Sequence, residues 1–86
     1  MADRSIAYSA AAKKMLRRID AATSKRIRAK VKQLAADPDS LSNNVRRLVG
    51  EDNLWRLRVG DWRVIYTMDL VILSVTSVSP RGSAYD

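Results

Sequence analysis

The sequence predicts an α+β fold: an N-terminal strand, an antiparallel two-helix hairpin, and then an antiparallel meander sheet. Three observations carry that expectation. Apolar residues recur with a helical spacing before Pro38 and in short β-branched runs after Asn44. A polar stretch, Asp37 to Asn44, divides the two regimes. Beyond it, Gly60-Asp61 separates two runs that alternate apolar and polar, the signature of a two-residue hairpin. The chain has 86 residues, 47% apolar and 29% charged, which suits one compact domain over 1–86 and excludes a disordered chain.

Arg4 to Tyr8 alternates and predicts a short opening strand. Ser9 is placed to cap a helix over Ala10–Asp20, with Ala12, Met15, Leu16 and Ile19 on one face. Ala21-Ala22-Thr23-Ser24 reads as a joint, with Thr23 or Ser24 capping a second helix over Lys25–Ala36. Its apolar stripe is Ile27, Val31, Leu34 and Ala35, and Lys25, Arg26, Arg28, Lys30 and Lys32 lie largely off it. Pro38 ends this helix, because the residue before a proline is pushed out of the α region. Asp37–Asn44 then reads as a loop. Four strand-like runs follow: Val45–Val49, Leu54–Val59, Trp62–Met68 and Leu70–Val78.

With Gly60-Asp61 as a turn of the II′ kind, Val59 faces Trp62, Arg58 faces Arg63, Leu57 faces Val64, Arg56 faces Ile65 and Trp55 faces Tyr66. Opposed residues share a side of the sheet and sides alternate along a strand. One face is then Trp55, Leu57, Val59, Trp62, Val64 and Tyr66, for the helices to cover. The other gathers Arg56, Arg58 and Arg63 around Ile65. Like charges directly opposed are unfavourable unless an anion lies between them. Either the arginines splay into solvent or pair with Asp61, Glu51 or Asp69, or they form a phosphate site; convergence on one otherwise uncharged face fits phosphate better.

Charge is distributed unevenly along the chain. Residues 1–32 hold ten basic residues against two acids, whereas the six basic residues after them are all arginines and face seven acids. The first half therefore offers a diffuse positive field toward a polyanion and the second offers bidentate contacts. With no cysteine and no histidine, disulfides, thiolate zinc sites, cysteine nucleophiles and imidazole bases are excluded. No metal or cofactor is expected. The uncharged run Leu70–Pro80 is shorter than the ~20 residues of a membrane span, and no apolar signal core opens the chain, so a cytoplasmic protein without a membrane partner is expected.

The pattern Leu48-Val49-Gly50 followed by Leu54-Trp55-Arg56-Leu57-Arg58-Val59-Gly60-Asp61-Trp62-Arg63-Val64-Ile65-Tyr66 resembles the RelE/ParE toxin superfamily. The end of the chain, Val78-Ser79-Pro80-Arg81-Gly82-Ser83-Ala84-Tyr85, is similar to the closing Arg-x-x-x-Tyr motif of its RelE branch. The resemblance spans essentially the whole chain and implies a toxin of a type II toxin–antitoxin pair. RelE-like members cut messenger RNA in the ribosomal A site, whereas ParE-like members poison DNA gyrase. By that similarity Arg56 and Arg58 match residues that contact the RNA backbone, Arg63 and Arg81 match arginines that stabilise the transition state, and Tyr85 matches the active-site tyrosine. Pro80 stands where many relatives carry a basic or imidazole residue, so a histidine–glutamate mechanism does not transfer. Glu51 falls in the loop where some relatives place a catalytic glutamate, and reads otherwise as a solvated loop acid.

The implied reaction is metal-free transesterification, in which the RNA 2′-hydroxyl attacks the adjacent phosphate. Tyr85 is either the proton acceptor, its phenolate favoured by neighbouring cations, or a platform that stacks on a base. The implied partners are a cognate antitoxin, messenger RNA on the ribosome, and ribosomal RNA against the basic helices. The rival reading is a ParE-like gyrase inhibitor without nuclease activity.

Overall fold

The computed structural model describes residues 3–48, 50 and 53–80. The elements run β1 (Ser5–Tyr8), α1 (Ala10–Arg18), α2 (Ala21–Ala36), a 3₁₀ segment (Pro38–Asn44), β2 (Val45–Arg47), β3 (Trp55–Val59), β4 (Trp62–Met68) and β5 (Ile72–Pro80). The α+β class and the element order are those expected. The strands form one sheet in the order β1-β5-β4-β3-β2. β2 through β5 form the antiparallel meander, and β1 adds parallel to β5, which makes the sheet mixed.

Capping decides where the helices begin. Ser9 Oγ accepts from the Ala12 N–H at 3.0 Å and donates to the Thr76 carbonyl at 2.7 Å, so one hydroxyl starts α1 and ties it to β5. The second helix begins at Ala21 rather than Lys25. Asp20 is its cap, accepting from the Thr23 N–H at 2.9 Å and the Thr23 hydroxyl at 2.7 Å. The predicted joint is thus the first turn of α2, because an aspartate cap followed by two alanines is a stronger start than an internal threonine or serine. These two hydrogen bonds from Thr23 hold the Asp20 carboxyl below its usual value. α1 correspondingly stops at Arg18, with Ile19 already extended.

The stretch expected as a loop, Asp37–Asn44, is more ordered than that. The Ser40 N–H and hydroxyl both donate to the Asp37 carbonyl, and Gln33 Nε2 donates to Ser40 Oγ at 3.0 Å. This folds the chain back so that Leu41 is buried. After β4, the Asp69 carboxylate accepts the N–H groups of Val71 and Ile72 at 2.7 and 2.8 Å, forming a side-chain turn. β5 therefore starts at Ile72, two residues after the expected Leu70, and Leu70 and Val71 stay exposed.

One face of the sheet meets the helices. Ala12 and Leu16 of α1 and Ile27, Val31 and Leu34 of α2 pack with Leu57, Val59, Val64, Tyr66, Leu73, Val75 and Val78. Trp55 and Trp62 close the margin of this core as partly buried residues. All six hairpin residues expected on the covered face are there. Burying one such aliphatic side chain contributes roughly 1.5–3 kcal/mol, and it is this layer that fixes the orientation of everything on the reverse side.

Candidate nucleic-acid interface

The β3–β4 register is the one expected, from Trp55 opposite Tyr66 to Val59 opposite Trp62. Gly60 has φ of +58°, and Asn53 is the only non-glycine with positive φ among the described residues, so Asp61 keeps an ordinary conformation. A positive first and a negative second central residue is the II′ pattern, whose twist matches that of the flanking strands. The turn therefore sets Arg58 opposite Arg63 and Arg56 opposite Ile65 on the face away from the helices.

β2 adds a fourth arginine that the sequence did not place in this cluster. Its register pairs Arg46 with Arg56, so one row across the sheet reads Arg46, Arg56, Ile65 and Ser77. The next row toward the turn reads Arg58, Arg63 and Ser79. A bulge at Ile65/Tyr66 keeps these serines on the arginine side: the ladder steps from Ile65–Ser77 to Tyr66–Val75, and the extra Thr76 donates its hydroxyl to the Ile65 carbonyl at 3.1 Å. The only local hint of Arg46 was its place inside the apolar run Val45–Val49. Its register depends on the longer connection between β2 and β3, where Leu48 N–H donates to the Leu54 carbonyl.

The four guanidinium-bearing side chains differ in environment. Arg63 is buried, 9% exposed, beside the wholly buried Ile65. Arg56 is half-buried, and Arg46 and Arg58 are exposed. Among the described residues, Arg46, Arg56 and Arg58 make no hydrogen bond and no ion pair. Of the acids proposed as their partners, Asp61 forms no ion pair with them, and Asp69 is committed to the turn before β5 and to Arg4. Three cations that no described residue neutralises, about 5 Å apart at the backbone across β2 and β3 and about 6.6 Å apart along β3, make a site for a polyanion with several closely spaced charges.

Glu51, Arg81 and Tyr85 lie outside the described residues. The described tyrosines offer no substitute for Tyr85, since both pack with the core. Burial pushes the Tyr66 phenol up to about 12. Burial also raises Tyr8, with Arg28, whose guanidinium carbon stands 5.4 Å from the centre of the Tyr8 ring, pulling the other way. Neither is a proton acceptor near neutral pH, and the described part of the site is built from arginine and serine.

Comparison with known proteins identifies the family and the fold. A family model described as the ParE toxin of the type II toxin–antitoxin system parDE matches residues 6–85. A chain of the archaeal RelE–RelB complex from Pyrococcus horikoshii OT3 superposes with a TM-score of 0.79 at 25% identity, over 96% of this chain and 100% of that one. Two others share the fold: a mutant of the E. coli toxin RelE in the free state (TM-score 0.75, 18% identity, 96% of this chain and 87% of that one) and YoeB of Staphylococcus aureus, solved as a dimer (TM-score 0.72, 19% identity, 88% and 94%). No curated protein sequence matches the chain.

Proposed function

We propose that this chain, which belongs to the ParE toxin family of type II toxin–antitoxin systems, acts on RNA, as a ribosome-dependent endoribonuclease of the RelE kind in the cytoplasm. The observation that carries the proposal is the convergence of Arg46, Arg56, Arg58 and Arg63 on the helix-free side of the sheet. A phosphodiester chain supplies repeated negative charge of the kind such a face attracts, and arginine binds phosphate in a bidentate fork.

In the proposed reaction the 2′-oxygen attacks the adjacent phosphorus while the bond to the 5′-oxygen breaks, leaving a 2′,3′-cyclic phosphate and a 5′-hydroxyl. The barrier is charge on the phosphorane oxygens, which needs donors already fixed in place. Arg63 suits that role: being buried, it is held by its surroundings, and a charge there is less screened than at the surface. The exposed Arg46 and Arg58 and half-buried Arg56 suit flanking phosphates, where affinity matters more than position. By the family resemblance Arg81 is assigned as a second transition-state donor, and Tyr85 positions or deprotonates the nucleophile. The reaction needs no metal in this scheme. The basic helices add a field toward ribosomal RNA, and a cognate antitoxin, as in the RelE–RelB complexes that share this fold, keeps the toxin inactive.

The matching family model carries the ParE description, and that favours one rival, inhibition of DNA gyrase with the arginines incidental. Induction of the chain followed by primer extension across abundant messages separates the two. Codon-phased cuts are expected, reduced about 10²-fold or more by Arg81→Ala and strongly by Tyr85→Phe. Intact messages during growth arrest, together with blocked supercoiling by purified protein, would establish the gyrase reading instead.

A further inference from the structure

Arg26 lies on the exposed side of α2, in the layer opposite the arginine face, yet its guanidinium rests on the tip of the β3–β4 hairpin. A Cβ built on Gly60 would stand 3.2 Å from Arg26 Nη1, 3.3 Å from Nη2 and 3.4 Å from Cζ. Three nearly equal distances put that point above the plane of the guanidinium, so its flat face, not its N–H edge, packs on the turn. Glycine suits this position through its φ of +58°, whereas a Cβ there would displace the flexible end of the Arg26 side chain by only a few tenths of an ångström. The contact uses none of the N–H donors, and Arg26 makes no hydrogen bond or ion pair elsewhere among the described residues.

The hairpin tip is thereby flanked by cations from both layers. Arg58 and Arg63 stand one row in from the turn on the sheet side, and Arg26 covers the turn from the helix side. From Gly60 to Arg58 is two strand residues, about 6.6 Å, comparable to one step of an extended single strand. Asp61, exposed at the same tip, makes no ion pair with Arg26, so no described residue neutralises the guanidinium.

We infer that a single RNA strand leaving the arginine face passes over the Gly60-Asp61 tip and lays a phosphate on Arg26, extending the site from the sheet on to α2. This rests on the RNA reading above, and binding, not cleavage, tests it. Fluorescence anisotropy would compare the intact toxin with Arg26→Ala, Arg26→Gln, Arg26→Lys and Arg56→Ala on labelled single-stranded RNAs of about four and about twelve nucleotides. Arg26→Gln removes the charge, and its shorter side chain also gives up the packing on Gly60, whereas Arg26→Lys keeps the charge without the planar head; the pair separates charge from packing, and thermal melting of each variant verifies the fold. On the longer RNA, Arg26→Ala and Arg26→Gln should both weaken binding several-fold and lower the salt slope by about 0.7 to 1. Arg26→Lys should restore most of it, and Asp61→Asn should tighten binding. The shorter RNA, which fits within the sheet face, should respond to Arg56→Ala alone. If Arg56→Ala weakens the longer RNA while Arg26→Gln does not, Arg26 is a turn clamp and the inference fails with the RNA reading intact. If neither substitution moves binding, the RNA reading fails and carries the extension down with it.

Discussion

Replacing Arg56 with glutamine should make the protein more stable and a poorer RNA binder. Arg56 stands directly opposite Arg46 and two residues from Arg58, and none of the three has a hydrogen-bond or ion-pair partner among the described residues. Two unit charges ~7 Å apart repel by about 0.6 kcal/mol in water and about 2.4 kcal/mol at an effective dielectric of 20. Arg56 is half-buried and its neighbours are exposed, so the relief lies between those limits, about 1 kcal/mol. Glutamine preserves most of the stem that packs along the sheet, and little burial is lost. For a domain of this size ~1 kcal/mol raises Tm by roughly 4–8 °C. The origin of the gain is testable by salt, because the screening length falls from ~10 Å at 0.1 M to ~3 Å at 1 M. Melts of the wild type and Arg56→Gln at low and high salt should show a gap that closes as salt rises. Anisotropy on the same samples should show RNA affinity reduced by about tenfold, the loss of one charge-assisted contact of ~1.5 kcal/mol. A variant that melts below wild type at low salt, with no dependence on salt, would refute the picture of mutually repelling arginines.

Two further expectations follow from single groups. The Asp69 carboxyl is held below its usual value by the N–H groups of Ile72 and Val71, with a smaller pull from Arg4; stability it contributes is fully present above the ordinary carboxylate value of ~3.9 and is lost as pH falls through its depressed folded value. Asp69→Asn, which keeps an acceptor oxygen but cannot titrate, should show a shallower acid limb in Tm against pH, and parallel limbs would contradict this role. The Tyr66 phenol, pushed up to about 12 by burial, favours the neutral form in the fold, so its contribution is intact below the ordinary value of ~10 and falls as pH rises from there toward 12. Ultraviolet titration should show a last-ionising tyrosine that Tyr66→Phe removes, with the component of Tyr8, also raised by burial, still present; complete ionisation near the ordinary value with the fold intact would exclude it.

The hairpin was legible because a two-residue turn leaves no freedom of register: once Gly60-Asp61 is fixed, so are five cross-strand pairs and the face of every arginine on them. Arg46 was not legible in the same way, since its pairing with Arg56 depends on a longer connection whose path no dipeptide specifies. The parallel pairing of β1 with β5 joins opposite ends of the chain and has no local signal at all. The misplaced start of α2 had a signal that was misread, because Asp20 outcompetes Thr23 as a cap and turns Thr23 into its donor. The 3₁₀ segment hid behind its composition: Ser, Asn and Asp read as a loop, while Leu41 within it is buried. Of the candidate site, the arginines on β3 and β4 fall where expected, and Glu51, Arg81 and Tyr85 lie outside the described residues.

The period of two along β3 assigns opposite tasks to adjacent residues. Trp55, Leu57 and Val59 face the helices, with Leu57 wholly buried, while Arg56 and Arg58 between them face away. The apolar residues stabilise the sheet, and they also hold the interleaved arginines in a row that their own repulsion would otherwise spread. Preorganisation of that kind is what a charge-stabilising site needs, since donors already in place do not have to reorganise as charge develops. It also explains why stability and binding should move in opposite directions at Arg56 but not at Leu57. Removing a charge relieves strain on the free protein and takes a contact from the ligand. Truncating the leucine would weaken the scaffold that keeps both neighbouring arginines aligned, so stability and binding should fall together.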